Sequence, residues 1–317
     1  MLTVKKTTEL SRAEVEKINN LFNYVFKRNR NAQLFFDMFL NTFLGYSYHV
    51  LLYEGNELIG HHAGIPFIYN RDEEHFLVGL GLDSMTHPKH RDFFNVRDMF
   101  KACEEAMATD GCVLRIGFPN DNSYPILKKG FKYKDIGKLN TYFLPIKISG
   151  VKPNIKMLNP LSRLLSACII GLSSFSRSKR VFSYKYGKDR SCFDDTRYKW
   201  FGGVDYCKIE LDGIKAYYKT QIQEGVKTLF ILDVWPISKN GFDKIVRVIY
   251  KKEHKGIDMI IYVGHLPFTP MSLITMPHKF EPKHFNFTCK PLVKDYFDDS
   301  IYDINNWDVN LSNYDLL

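Results

Sequence analysis

The 317 residues carry 44 Lys and Arg against 35 Asp and Glu, a formal charge of +9, with 45% hydrophobic and 15% aromatic residues. At roughly 150 residues per domain, this length predicts two domains, and the composition excludes disordered, collagen-like and low-complexity chains. The longest uncharged apolar stretch lies between Arg163 and Arg177 and is only 13 residues long, too short to cross a bilayer.

Met1-Leu2-Thr3-Val4-Lys5-Lys6 turns polar at once, which predicts no signal segment. The six cysteines (103, 112, 168, 192, 207 and 289) show no CxxC spacing. Most sit among apolar neighbours and read as reduced core thiols of a cytoplasmic protein, not as a disulfide frame or a metal site. The cation excess is moderate and reads either as a site for anionic partners such as phosphates or as a solvated basic surface, and no basic run is dense enough to predict nucleic-acid binding.

In chain order, Ser11 to Phe43 predicts two helices, with apolar residues at helical spacing and a capping box from Ser11 to Glu14. A hairpin follows, Tyr46–Tyr53 turning at Glu54-Gly55-Asn56 into Leu58–Tyr69, then a strand over Phe76–Thr86. After the loop His87–Asp92, Val96, Met99, Phe100, Cys103 and Met107 share one face of a helix from about Asn95 to Ala108. Asp110-Gly111 stops it before a buried strand, Cys112–Phe118. Strand, loop, helix and strand in that order make a βαβ unit with parallel neighbours.

The chain is expected to divide into residues 1–150, a connecting helical segment 151–190 and a second domain 191–317. In the connector, Leu158, Leu161, Leu164, Leu165, Cys168, Ile169 and Leu172 form a helical apolar stripe. It reads either as an amphipathic membrane helix or as a helix buried between domains, and sparse flanking anchors favour the second. The last third faintly repeats the first: Leu232-Asp233-Val234 echoes Leu82-Asp83-Ser84, and a helix and strand follow each.

The most informative stretch is Leu80-Gly81-Leu82-Asp83-Ser84-Met85-Thr86-His87-Pro88-Lys89-His90-Arg91, running into a helix. Gly117-Phe118-Pro119-Asn120-Asp121-Asn122-Ser123-Tyr124 follows, then Lys129-Gly130-Phe131. Over residues 10–145 this pattern resembles the GNAT acyltransferases, and the internal echo resembles their tandem architecture. The resemblance implies an α/β (α+β) fold of tandem GNAT-like domains, each a mixed, mostly antiparallel sheet flanked by helices and splayed at the cofactor site. It also implies acetyl-CoA as co-substrate. A helix N-terminus after the loop suits a diphosphate, since free N–H groups and the helix dipole converge there. Phe94 stands where the family has glycine, and Asn95, tolerant of left-handed backbone, is expected to take the turn one residue later.

By the same resemblance, backbone N–H groups of Ser84, Met85 and Thr86 serve the thioester carbonyl. Arg91, Asp92, Phe93, Phe94, Asn95 and Val96 line the diphosphate turn, and Asn120 and Asn122 meet the pantetheine amides. Asp83 falls on the position of the base. The family's acid, a Tyr four residues before the closing glycine, is replaced by Ile126, which leaves Tyr124 as candidate. His61 and His62 lie on the preceding strand, where alternation turns one toward the cleft. Trp200 and Trp235, with Tyr198, Phe201, Tyr217 and Tyr218, are candidates for a substrate wall. No His-Pro-x-x-Arg loop lies between Trp235 and Phe242, so the second domain is expected to be substrate-side and not to bind CoA.

The expectation is an N-acetyltransferase acting on the primary amine of a small anionic acceptor, best a nucleotide-linked (dTDP- or UDP-) amino sugar. Alternatives are an aminoacyl-tRNA-dependent transferase and a non-catalytic GNAT-like binding protein.

Overall fold

The structure, a computed structural model, describes residues 1–72, 74–150, 157–191, 206–223, 225–281 and 283–314. The first elements are β1 (Leu2–Lys6), α1 (Arg12–Phe26), α2 (Ala32–Leu40), β2 (Tyr48–Glu54), β3 (Glu57–Arg71), β4 (Glu74–Thr86), α3 (Phe93–Thr109), β5 (Cys112–Gly117), α4 (Tyr124–Phe131) and β6 (Lys134–Lys138). Then come β7 (Asn140–Pro145), α5 (Asn159–Leu172), β8 (Tyr186–Lys188), β9 (Cys207–Leu211) and β10 (Ile214–Gln223). The last are β11 (Val226–Trp235), α6 (Lys239–Glu253), β12 (Met259–Gly264), β13 (Ile274–Thr275) and β14 (Asn286–Pro291).

Two compact units form. The first comprises Met1–Gly137, Lys185–Val204 and Asn286–Asn306; the second comprises Lys138–Tyr184, Asp205–Phe285 and Trp307–Leu317. In unit 1 the sheet runs β1-β2-β3-β4-β5-β14-β6, with β8 on β3. The pairs β1-β2, β2-β3, β3-β4 and β5-β14 are antiparallel, whereas β4 and β5, joined through α3, are parallel. The capping box at Ser11 and Glu14 is present, worth about 1 kcal/mol. Helix α3 lays Met99, Cys103 and Met107 on Val50, Leu52 and Ile59, which is why its apolar face has the period of a helix. Its Phe100 packs with Leu127 and Phe131 of α4 and with Tyr133.

Unit 2 has the order β13-β7-β12-β11-β10-β9. Here too an antiparallel run, β9-β10-β11, leads through a helix to a parallel strand, β12, whose outer neighbour is antiparallel. The ladder bulges in both units beside the repeated Leu-Asp pair: between Tyr217 and Tyr218 opposite β11, and between His61 and Ala63 opposite β4. Helix α6 covers the unit 2 sheet with Phe242, Ile245, Val246 and Ile249.

Two expectations need correction. Helix α5 is not a buried apolar helix: Ser162, Ser166 and Ile170 face inward, while Leu158, Leu161, Leu164, Leu165 and Leu172 are exposed. The serines take the inner face because both Oγ atoms donate to the Pro145 carbonyl. Among the cysteines, Cys103, Cys112 and Cys289 are buried but Cys168 and Cys207 are exposed; Cys192 lies outside the described residues.

Candidate active site

The parallel pairing of β4 with β5 runs from Leu77 opposite Cys112 only to Leu80 opposite Ile116. β4 continues six residues further, to Thr86, still bonded to β3 on its other side. β5 ends at Gly117 and the chain turns away through Phe118–Ser123. From Gly81 to Thr86, β4 therefore has no β5 partner among the described residues. An open edge of this kind offers alternating N–H and C=O groups to an extended, amide-bearing ligand.

Within that edge β4 carries a bulge. Ala63 pairs with Leu82 and His61 with Met85, so His62 faces both Asp83 and Ser84. Asp83 takes a left-handed backbone, φ +48°, and a bulge drops one strand amide out of the ladder. Ser84 is exposed beside it, whereas Met85 and Thr86 are buried.

Two buried cations stand behind the bulge. Arg30 pairs through Nη1 with Asp83 Oδ2, the two side chains being 5% and 6% exposed. Its Nε donates to Asn19 Oδ1 at 2.8 Å, and its guanidinium lies 3.7 Å from the Phe22 ring centroid. Arg115, in the middle of β5, is fully buried, with Nη2 3.0 Å from His62 Nε2. A guanidinium only donates, so Nε2 must accept and the His62 proton sits on Nδ1. Nδ1 lies 2.7 Å from Ser84 Oγ and donates to it. The Ser84 hydroxyl proton is thereby left free to point outward.

Both predicted histidines are fully buried, so neither presents a ring to a ligand directly. His62 stacks on Phe100 at 4.0 Å and reaches the surface only through Ser84. His61 Nε2 bonds His49 Nδ1 at 3.1 Å, and His49 Nε2 bonds Thr7 Oγ1 at 2.9 Å. Burial, with Arg30 adding to it, lowers the His61 pKa to about 3. Burial likewise holds His49 and His62 well below the ordinary imidazole value, helped by His61 beside the first and Arg115 beside the second.

The turn after β4 is a short 3₁₀ segment, Pro88–His90, entering α3 with Asp92 as N-cap. Asp92 Oδ1 accepts from Asn95 N at 2.8 Å. Asn95 is thus held inside the helix and has no positive φ, contrary to the expected turn at that residue. Phe93 stacks on Phe131 at 5.9 Å, over Gly130, where a Cβ would come within 2.6 Å of the ring. Phe94 is 63% exposed, its ring 5.1 Å from the Arg97 guanidinium. Val96 packs inward, and Lys89 and Arg91 are exposed cations with no acidic partner among the described residues. A cavity of about 550 Å³ opens beside this turn, lined by Tyr53, Glu54, Lys89, Arg91 and Asn95 among others.

Tyr124 begins α4, and its hydroxyl donates to Asp135 Oδ1 at 2.8 Å. Partial burial and that bond raise its pKa. Asn120 Oδ1 closes its own loop, accepting from the amides of Asn122 and Ser123, while Asn122 is exposed. Trp235 ends β11 in unit 2; Trp200, Tyr198 and Phe201 lie outside the described residues. The structure thus gathers Asp83, Ser84, Met85, Thr86 and His62 at one strand edge. Sequence reasoning missed Arg30 and Arg115. The signal for Arg115 was a charge inside an apolar strand beside a Gly-x-Gly pair: a Cβ on Gly81 would lie 2.6 Å from its Nη2.

Residues 6–133 match the acetyltransferase (GNAT) domain model. No curated protein matches the chain in sequence. Among solved structures, it is similar to a probable N-acyltransferase from Enterococcus faecalis, with TM-score 0.56 and 12% identity over 92% of this chain and 73% of the other. A GCN5-related N-acetyltransferase from Anabaena variabilis gives 0.57, 10%, 92% and 73%, and one from Kribbella flavida gives 0.57, 10%, 92% and 72%. At these identities the structures share the fold.

Proposed function

We propose, from the premise that residues 6–133 are an acetyltransferase (GNAT) domain and the chain an acyl-CoA-dependent N-acyltransferase, that acetyl is transferred at the open edge of β4 to the primary amine of a small anionic acceptor. The observation that carries this is the loss of pairing after Leu80 and Ile116, next to a helix N-terminus flanked by Lys89 and Arg91. An amide-bearing arm with a thioester and a diphosphate fits that edge and that turn in length, polarity and sign of charge. Acetyl-CoA is the co-substrate of this family, and it supplies the activated acyl group.

The protein's own groups then divide the work. Strand amides from Ser84 to Thr86 stabilise negative charge on the thioester carbonyl oxygen as the amine attacks. The Ser84 hydroxyl, accepting from His62, adds an outward O–H donor at the same edge. It acts as a donor and not a nucleophile, because His62 Nε2 is occupied by Arg115 and Nδ1 already carries a proton. Asp83 accepts the ammonium proton through the carboxylate oxygen that Arg30 leaves open, directly or through water. Departing CoA thiolate is a good leaving group and is protonated by Tyr124 or by water.

The cation excess supports an acceptor bearing phosphate, and a nucleotide-linked amino sugar is the best instance. The test is a panel of amines, with and without nucleoside diphosphate, incubated with acetyl-CoA while free thiol is followed. Release with the nucleotide-linked amines only is the expected result. Release with plain amines alone would overturn the acceptor class. Absence of acetyl-CoA binding by calorimetry, or salt-dependent retention of tRNA, would favour the alternative readings.

A further inference from the structure

Helix α5 is amphipathic the wrong way round for a core helix. Its inner stripe is Ser162, Ser166, Ile169, Ile170 and, just beyond, Ser173. Leu161, Leu164, Leu165, Cys168 and Leu172 recur at i, i+3, i+4, i+7 and i+11, which places them on one face, and all five are exposed. Met157, Leu158 and Phe175 extend that face at its two ends, again exposed. Isolated exposed leucines need no explanation, but a contiguous apolar stripe marks an interaction surface.

The charge around it is equally one-sided. Residues 157–181 contain Arg163, Arg177, Lys179 and Arg180 and no Asp or Glu. The acid-free run extends from 136 to 188 and holds ten Lys and Arg. At the chain's average of 35 acids in 317 residues, about six would be expected in a run of that length. Among the described residues, none of Arg163, Arg177, Lys179 and Arg180 has an acidic partner. An apolar face whose own stretch of chain carries only cations is complementary to a surface that is apolar below and anionic above.

We infer that the outward face of α5 docks the protein in the interface of an anionic lipid membrane, its leucines among the acyl chains and Arg177, Lys179 and Arg180 at the headgroups. The helix lies on the membrane and does not span it, since no described helix is long and apolar enough to cross. This inference does not rest on the acyl-transfer reading.

The test is co-sedimentation of the full chain with vesicles of phosphatidylglycerol and phosphatidylcholine in equal parts, against pure phosphatidylcholine, at low and high salt. Preferential binding to the anionic vesicles, weakened by salt, is expected. A triple variant, Leu161→Gln with Leu164→Gln and Leu165→Gln, should bind roughly tenfold more weakly. A second, Arg177→Gln with Lys179→Gln and Arg180→Gln, should lose the anionic preference by roughly as much. All six positions are exposed, so both variants should melt like the parent. A parent chain that stays in solution with both vesicle types would overturn the inference. So would equal binding to both types, or leucine-dependent self-association without vesicle binding, which would make a second copy the occupant.

Discussion

A Cβ placed on Gly81 would lie 2.6 Å from Arg115 Nη2, so the bare backbone of β4 is what lets a guanidinium lie buried against the sheet. Arg115 has no room to leave, being enclosed by Phe100, His62 and the neighbouring strand. Gly81→Ala should therefore destabilise the protein by about 2 kcal/mol through overpacking. Urea unfolding of the variant measures it, and an unchanged midpoint would show that the guanidinium moves freely.

The same guanidinium sets the direction of a hydrogen-bond chain ending at Ser84. Ser84→Ala should lower kcat by at least about tenfold and leave the KM for acetyl-CoA within about twofold, because the lost O–H acts on developing charge. Ser84→Thr, which keeps the hydroxyl, should recover most of the rate. Nitrogen-15 NMR of the His62 ring should find the proton on Nδ1; a proton on Nε2 would reverse the chain.

Asp83→Asn should cut turnover by about a hundredfold while sparing acetyl-CoA affinity. It also leaves the buried Arg30 without its counter-charge, at a cost of about 3 kcal/mol. Activity must therefore be read on the folded fraction. Replacing the pair together, Arg30→Met with Asp83→Asn, which tolerates the left-handed backbone, should recover part of the stability without restoring rate. Full turnover in folded Asp83→Asn would remove this carboxylate as the base.

Phe94 stands at the helix entrance without packing into the core, so Phe94→Gly should leave acetyl-CoA binding equal or tighter by calorimetry, at a helix-propensity cost of about 1 kcal/mol. A marked loss of affinity would show that the ring itself contacts the ligand.

Acid should unfold the protein through His49, His61 and His62. Each ring is buried and its folded pKa is depressed, to about 3 for His61. Below the ordinary imidazole value the unfolded chain binds protons that the folded chain refuses, so this stability is present at neutral pH and lost as pH falls. The loss begins below about pH 6 and continues toward the folded His61 value of about 3, with His49 and His62 acting in the same direction. Urea midpoints across that range measure the slope, and a flat profile would mean the rings are protonated in place.

Much of unit 1 was legible because local physics decides it. The Ser11–Glu14 box, the spacing from Val96 to Met107 and the Asp110-Gly111 stop each mark one element, and together they locate the parallel crossing of β4 and β5. The candidate site could be marked in the sequence only as a stretch of chain, Asp83 to Asn95, without its wiring. Arg30 and Arg115 reach Asp83 and His62 from 53 residues away in each case, and no periodicity reports such a meeting. Helix α5 has the apolar period of a buried helix, yet its serines, both bonded to the Pro145 carbonyl, hold the inner side, a contact that periodicity does not report.

The edge of β5 in unit 1 is closed by β14, which pairs Thr288 with Gly117 across a sequence gap of 171 residues. A ribosome that has just released residue 150 therefore holds a sheet whose parallel strand has one side bare, an invitation to aggregation until most of the polypeptide has emerged. Expressed as a fragment ending there, the acetyltransferase portion should be insoluble or chaperone-bound, and the shortest autonomous version must retain the late strand.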